Sequence, residues 1–310
     1  MKKFLLLYGG KSFEHDISCE SAKNIINALK EGKYNFDQIY ISKENEWFLI
    51  KEGDKVEIFN IIEFLKKYDF IFPIMHGAYG EDGRIQSFLE LFNIKYIGSN
   101  SFSSMIAMDK YFTKLIIEKT DIKQVPYFIM MKDDKIPKSI EYPVIVKPAN
   151  GGSSIGISVA SNINDLKKAV KEAFLYDNKV LIEKFIEARE LECGILEDKK
   201  IIVGDVGEIK HNHKFYDFDA KYNDKSETII PAKINKKLTK TIQQTAKKIF
   251  QILNLKDFAR VDFLYDEKND VLYFNEVNTI PGFTNISMFP LLFKSKKMDY
   301  TDVVLKLIEK

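Results

Sequence analysis

The sequence predicts a mixed architecture, an α/β unit on a doubly wound parallel sheet followed by α+β units. Three observations carry this. Apolar strands alternate with amphipathic helices over the first third. Short strands surround one good helix in the middle. In the last third, strands pair across a turn instead of across helices. A chain of 310 residues is long enough for two or three domains, divided here at 1–99, 100–188 and 189–310.

Taken in order, KFLLLYGG (3–10) reads as a buried strand and SCESAKNIINALK (18–30) as a helix with apolar residues at helical spacing. FDQIYIS (36–42) and YDFIFPIMHG (68–77) are further strands, RIQSFLELF (84–92) a helix and IKYIGS (94–99) a short strand. Loops at the carboxyl ends of such strands hold ligands. Two qualify, GGKSFEHDIS (9–18) and HGAYGEDGRIQ (76–86), and His15 and His76 stand in them. The middle opens with the helix MDKYFTKLIIEKT (108–120) and continues with strands VPYFIMM, YPVIVKP, GISVAS and KVLIEKF. Between the last two lies the helix NINDLKKAVKEAF, capped by Asn162 or Asn164. The last third offers strands LECGIL, KIIVGDVGEI, DFARVDFLYD and DVLYFNEVN, the helix KLTKTIQQTAKKIFQIL and a terminal amphipathic helix, YTDVVLKLIEK.

Charge and cysteine usage narrow the function. Forty-seven basic residues nearly balance 45 acidic ones, for a net charge of +2, so no bulk attraction to nucleic acid or to an anionic membrane is expected. Cys19 and Cys193 are far apart and lack metal-ligand spacing, and no disulfide is expected. MKKFLLLYGG starts as a secretion leader does, but its apolar run stops at Gly9-Gly10 with no small-residue cleavage site after it. No segment approaches the ~20 apolar residues of a membrane span. The expectation is a cytoplasmic protein.

The chemistry gathers in a few stretches. In ARVDFLYDEKNDVLYFNEVN, two strands flank a turn over Asp266–Asp270. Residues two apart on a strand share a face, so Arg260 points with Asp262, and Glu276 with Asn278. Folding the hairpin sets Asp262 roughly opposite Glu276. Hard oxygen donors of this kind suit Mg²⁺; the other possibility is an ordinary salt-bridged strand face. KPANGGSSIGIS (147–158) resembles a phosphate loop in composition but not in order. The P-loop places its lysine after the glycines, at a helix start. Here Lys147 ends a strand, and the residues after the glycines alternate like another strand. A hairpin whose glycine tip covers a nucleotide fits, and so does a plain turn. VLIEKFIEARE (180–190) can offer backbone groups to a purine edge and an acid to ribose, or merely face solvent. HNHKFYDFDAKY (211–222) reads as an aromatic, charged active-site cover, with His211 and His213 at its surface.

Together, GGKSFEHDIS, HGAYGEDGRIQ, MDKYFTK, VIVKPANGGSSIGIS, VLIEKFIEARE, FYDFDAKY, ARVDF and NEVNTIPGFTNISMFP resemble the ATP-grasp enzymes, specifically the D-alanine–D-alanine ligase family, nearly end to end. The resemblance implies an ATP-grasp fold behind an N-terminal α/β domain, with ATP between the central and C-terminal units. It implies that Lys110 and Lys147 contact ATP phosphates, joined by Ser153 and Ser154 of the glycine tip. Glu183, Lys184 and Ile186 frame adenine, Glu190 binds ribose and Lys221 reaches the γ-phosphate. Asp262, Glu276 and Asn278 become ligands of two Mg²⁺ ions, with Mn²⁺ as a substitute. Glu14 receives the ammonium of the first D-alanine, with His76 nearby. Arg260 and the Gly282 backbone support the tetrahedral intermediate, and Ser287 with Met288 hold the second carboxylate. Glu14, Ser153 and Tyr222 form a hydrogen-bonded latch on the lid. Gly151 stands where several members carry a larger or charged residue, which implies a more mobile tip. The family implies two D-alanine molecules and ATP as partners, and a homodimer.

The chemistry so implied is amide formation through an acyl phosphate, which the lid shields from water. The alternatives within the family are D-alanine–D-serine and D-alanine–D-lactate ligases; Lys221-Tyr222 favour D-alanine as second substrate. A catalytically inactive nucleotide-binding relative should have lost metal ligands or Arg260, and all are present. A dinucleotide-dependent oxidoreductase lacks its G-x-G-x-x-G after the first strand.

Overall fold

Phe4 and Leu6 of strand β1 (Phe4–Gly9) face one hydrophobic core while Leu5 and Leu7 face another, and all four are buried. A strand covered on both faces needs the unbroken apolar run that FLLL supplies. In the computed structural model, which describes residues 3–137, 139–210 and 227–309, this strand lies within the first sheet. It pairs in parallel with β2 (Phe36–Ile41) on one side and β5 (Phe70–Pro73) on the other. Helices α1 (His15–Glu31), α2 (Ile61–Leu65) and α3 (Arg84–Leu91) complete the unit.

Besides helix α2, which has no counterpart in the sequence expectation, two features depart from that expectation. The sheet is not parallel throughout, because β3 (Trp47–Lys51) and β4 (Asp54–Glu57) add an antiparallel hairpin beyond β2. Glu52 and Gly53, both with positive φ, make its tight turn, and β4 is exposed throughout, so its hydrophobic pattern carries no strand signal. IKYIGS forms only an isolated bridge, Tyr96 to Ile71.

The next sheet is four-stranded and antiparallel, in the order β6 (Tyr127–Met131), β9 (Lys179–Lys184), β7 (Val144–Pro148), β8 (Ser158–Ala160). Helices α4 (Ser101–Met108) and α5 (Lys110–Ile117) precede it; α6 (Ile163–Ala173), capped by Asn162, covers one face. The last sheet, also antiparallel, runs β12 (Glu227–Ile229), β11 (Ile201–Lys210), β10 (Arg189–Glu197), β13 (Phe258–Asp266), β14 (Val271–Asn278). Helix α7 (Lys236–Ile252) packs on it through Leu238, Ile242, Ala246, Ile249 and Phe250, an i, i+4, i+8, i+11, i+12 stripe. Short helix α8 (Met288–Leu291) and terminal α9 (Tyr300–Ile308) follow; α9 lies against α1, fastened by Thr301 to Glu31 at 3.0 Å and by the Tyr34–Glu309 hydrogen bond.

The first and last sheets share one core. Phe72 of β5 meets Phe258 of β13 and Phe283 of the segment after β14 edge-on, at 5.8 and 6.0 Å between ring centroids, and Phe289 closes the cluster. Phe258 is fully buried within it. Replacing Phe258 by Ala is expected to destabilise the protein by about 3–5 kcal/mol, read as a lower midpoint in urea; a loss below ~1 kcal/mol would mean that this cluster does not join the sheets.

Candidate active site

The β13–β14 hairpin pairs Arg260 with Asn278 and Asp262 with Glu276, the register that the sequence pattern implied. A bulge beyond Asp262 leaves Asn275 as the extra residue. Arg260 grips Asp262 with two hydrogen bonds of 2.8 Å, from Nε to Oδ1 and from the guanidinium to Oδ2. Asn278 donates its amide to Asp262 Oδ2 at 2.8 Å. On the other side of β13, Glu192 pairs with Asp262 and puts Oε2 2.9 Å from Arg260 Nε. Burial, together with Asp262, Glu190 and Glu276, pushes Glu192 up to about 8 against the pull of Arg260. Two carboxyl groups and an amide thus gather around one guanidinium, and the donors that it leaves are all oxygen. The oxygens of Asp262, Glu276 and the Asn278 amide are donors that could hold a hard dication such as Mg²⁺.

Facing this hairpin stand the lysines. Asp109 caps α5 through the N–H groups of Tyr111 and Phe112, which aims Lys110 and, one turn on, Lys114 toward the sheets. Lys110 Nζ donates to the Gly151 carbonyl at 2.7 Å and lies 3.5 Å from Glu276. Lys147 and Glu183 share one face of the β7–β9 pair and meet at 2.5 Å. Burial opposes ionisation of Glu183, yet Lys147 and Lys114 overcome it and hold the carboxylate at about 2.

The stretch 147–158 is a hairpin, β7 to β8, whose tip carries the glycines. Ser153 donates to Glu14 Oε1 at 2.6 Å. Glu14 fits there because two glycines flank it. A Cβ on Gly77, whose φ is +71°, would sit 2.2 Å from Oε2, and one on Gly152 would sit 2.9 Å from the same atom. A cavity of about 70 Å³ collects these parts, lined by Glu14, Lys110, Gly151, Ser153, Glu276 and Asn278 among others.

Gly282 lies in the segment after β14, which the first unit holds in place. The Ile280 N–H donates to Glu81 and its carbonyl accepts from His76 Nδ1 at 2.8 Å. A carbonyl only accepts, so Nδ1 carries the proton and Nε2 accepts from the Ser21 hydroxyl at 2.9 Å. Ser21 Oγ in turn accepts from Phe283 N–H at 3.3 Å. Ser287 Oγ stays beside Gly282 and accepts from Thr284 N–H at 3.0 Å, while the Met288 side chain is buried.

Other expected residues fall elsewhere. Glu183 directs its side chain inward to the lysines. Lys184 pairs with exposed Glu141 at 3.0 Å. Ile186 and Glu190 flank the start of β10, half-buried, and Ser154 is a left-handed residue of the tip. Lys221, Tyr222, His211 and His213 lie outside the described residues. His15 is not a ligand-loop residue: it is buried under the Gly9-Gly10 turn, against the Gly10 carbonyl at 2.7 Å and edge-on to Tyr40.

Sequence reasoning passed over Ser21, Glu81, Lys114 and Glu192. Glu81 sits in the HGAYGEDGRIQ loop and Lys114 one turn beyond Lys110, signals that were available. Glu192 and Ser21 carry none, since only tertiary pairing reveals them.

Buried lysines from helix α5 and strand β7, facing carboxylates of the last antiparallel sheet beside a glycine hairpin, define an ATP-grasp architecture. Family models described as "D-ala D-ala ligase N-terminus" and "D-ala D-ala ligase C-terminus" match residues 3–61 with 51–99, and 116–309. The chain is 41% identical to the D-alanine–D-alanine ligase of Caldicellulosiruptor bescii over 99% of its length and 94% of the relative's, and 39% identical to that of Chloroherpeton thalassium. Among solved structures it resembles the VanG D-Ala:D-Ser ligase of Enterococcus faecalis (TM-score 0.90, 29% identity, 99% and 98% of the two chains) and the D-alanine–D-alanine ligase of Coxiella burnetii (TM-score 0.86, 31% identity, 99% and 93%). The chain belongs to the D-alanine–D-alanine ligase family, enzymes that form a carbon–nitrogen bond.

The His76 network sets a pH dependence. Burial pushes this imidazole down to about 4 from 6.5, although the Ile280 carbonyl opposes the shift. The unfolded chain takes up the proton below 6.5 and the folded one only near 4. This contribution to stability is therefore complete above pH 6.5 and lost as pH falls toward 4, to a limit on the order of 3 kcal/mol. Glu81 carries the opposite sign: burial and Glu14 raise it to about 8, so its contribution is complete below 4.5 and lost as pH rises through 8. Subtracting a His76→Gln variant isolates the histidine. The stability difference, wild type minus variant, is expected to shrink between pH 6.5 and 4 in urea titrations; a flat difference would refute the assignment.

Proposed function

We propose that the protein uses ATP to join two D-alanines into D-alanyl-D-alanine, a precursor for peptidoglycan and so for cell-wall growth and shape. The observation that carries this is the convergence of Glu14, Lys110, Ser153, Glu276 and Asn278 around one cavity, with Arg260 alongside Asn278. Full-length similarity to the relatives named above adds support.

A carboxylate resists attack by an amine, so the first D-alanine is activated as its acyl phosphate by transfer of the ATP γ-phosphoryl group. Glu14 takes the ammonium of that D-alanine. Lys110, Lys147 and Lys221 neutralise the transferring phosphoryl, and Ser153 and Ser154 add donors from the glycine tip. The backbone beside Glu183, Lys184 and Ile186 frames the purine, and Glu190 binds ribose. Asp262, Glu276 and Asn278 hold magnesium (two ions, with manganese as a substitute), which supplies charge neutralisation at the phosphates. The second D-alanine is oriented through its carboxylate by Ser287 and the Met288 backbone. Its amine then loses a proton and attacks the acyl carbonyl; the oxyanion is stabilised by Arg260 and the Gly282 N–H, and collapse expels phosphate. The Ile280 clamp from His76 and Glu81 supports a fixed Gly282. Tyr222 completes the latch whose other half, Ser153 to Glu14, is formed.

The three units, 1–99, 100–188 and 189–310, act as substrate domain and two halves of the nucleotide grip. The reaction belongs in the cytoplasm, where ATP is made; among the described residues no helix is long and apolar enough to cross a membrane. Exposed Phe13, Phe102, Met105 and Phe112 border an apolar groove that supports a homodimer. The similarity to a D-Ala:D-Ser ligase keeps D-serine as a second reading for the second substrate.

Phosphate and ADP release measured with magnesium and D-alanine, L-alanine, D-serine or D-lactate decides among these. D-Alanine alone is expected to support turnover, and its failure to do so sinks the proposal. Tyr222→Phe is expected to lower kcat by about tenfold or more while ATP binding stays within about threefold. An equal loss of ATP affinity would remove the tyrosine from the latch.

A further inference from the structure

Lys114 has no role in the reaction outlined above, yet it is 1% exposed and among the largest fully buried side chains described. An ammonium is costly to bury unless it is paired. Lys114 lies 2.6 Å from Glu183 Oε1 and 5.1 Å from the centre of the Tyr127 ring. Lys147 takes the other oxygen, Glu183 Oε2, at 2.5 Å. Glu183 is itself 3% exposed. One carboxylate thus has two ammonium partners, one more than its charge requires, although desolvating the second costs free energy. That burial is felt at Lys114, whose pKa is lowered in spite of Glu183.

The two lysines differ in what else they can reach. Lys147 ends the strand that leads into the glycine tip, and its Nζ also lies 3.5 Å from Asn275, next to Glu276. Lys114 arrives from α5, a turn deeper than Lys110. Suppose Lys147 were the sole counter-ion. Drawing its ammonium toward a phosphate would then strand Glu183 as a buried, unpaired carboxylate, and Lys147 would stay where it was.

We propose that Lys114 is a positioning residue for nucleotide binding: it is the resident counter-ion of Glu183, and its presence lets the Lys147 ammonium leave that carboxylate for the nucleotide phosphates. This rests on the ATP reading of the site. The role is separable from simple packing, because it vanishes once Glu183 carries no charge.

Direct titration of ATP with magnesium, by calorimetry, tests this without turnover. Lys114→Met is expected to weaken ATP binding by about tenfold or more, and Lys114→Arg, which keeps the charge, by less than about threefold. Glu183→Gln is compared with the double variant Lys114→Met/Glu183→Gln. The double variant strands no buried carboxylate, so it serves even where Lys114→Met alone does not fold. Equal ATP affinity of these two supports the proposal. A double variant about tenfold weaker than Glu183→Gln, or a folded Lys114→Met that binds ATP like wild type, overturns it. Wild-type protein that binds no ATP sinks the nucleotide reading itself, a result distinct from either.

Discussion

Everything at the site hangs on the peptide of Ile280. Its N–H is taken by Glu81 and its carbonyl by His76, both from the first unit, although the residue belongs to the segment that leaves the last sheet. Two hydrogen bonds across some two hundred residues of sequence fix where β14 ends, and therefore where Asn278, Thr279 and Gly282 stand. That clamp sets where the oxygen-rich hairpin ends relative to Glu14. His76 is buried and Glu81 half-buried, and a buried backbone group left unpaired costs as much as a lost hydrogen bond, so the arrangement resists drift. The aromatic cluster of Phe72, Phe258 and Phe283 supports it from beneath, joining the same two sheets.

The charges on either side of the cavity show a common device. Around Arg260 the carboxyl groups are in excess; around Glu183 the ammonium groups are. Each surplus sits in the interior, where attraction and desolvation are both large. On the function proposed above, a magnesium nucleotide carries both signs, and its cation would meet one surplus and its phosphates the other. The glycine tip lies between them because Gly152 allows the backbone to approach Glu14, and the Gly151 carbonyl receives Lys110.

Strands and helices with clear periodicity were legible in the sequence: β1, α6, α7 and the β13–β14 hairpin with its Asp262–Glu276 pairing. The β3–β4 hairpin was not, since an exposed edge strand has no hydrophobic alternation to detect. His15 was misjudged for a related reason. Its position after a parallel strand suggests a ligand loop, yet its ring is consumed by the Gly10 carbonyl and by Tyr40, a partner from β2. Glu183 illustrates the limit in another way: strand position predicts which face a side chain takes, but not that two lysines wait on that face.

By itself, the sequence determined most of the elements, the hardness of the site's donors, and the order of the motifs, because these depend on local periodicity and on residue chemistry. Only the tertiary structure decided which groups meet. That Glu192 crowds Arg260, that His76 holds the Ile280 carbonyl, and that Lys114 shares Glu183 with Lys147 are outcomes of packing between distant segments. The physical reason is range. Propensity and spacing act over a few residues, whereas burial lets charges far apart in sequence select one another.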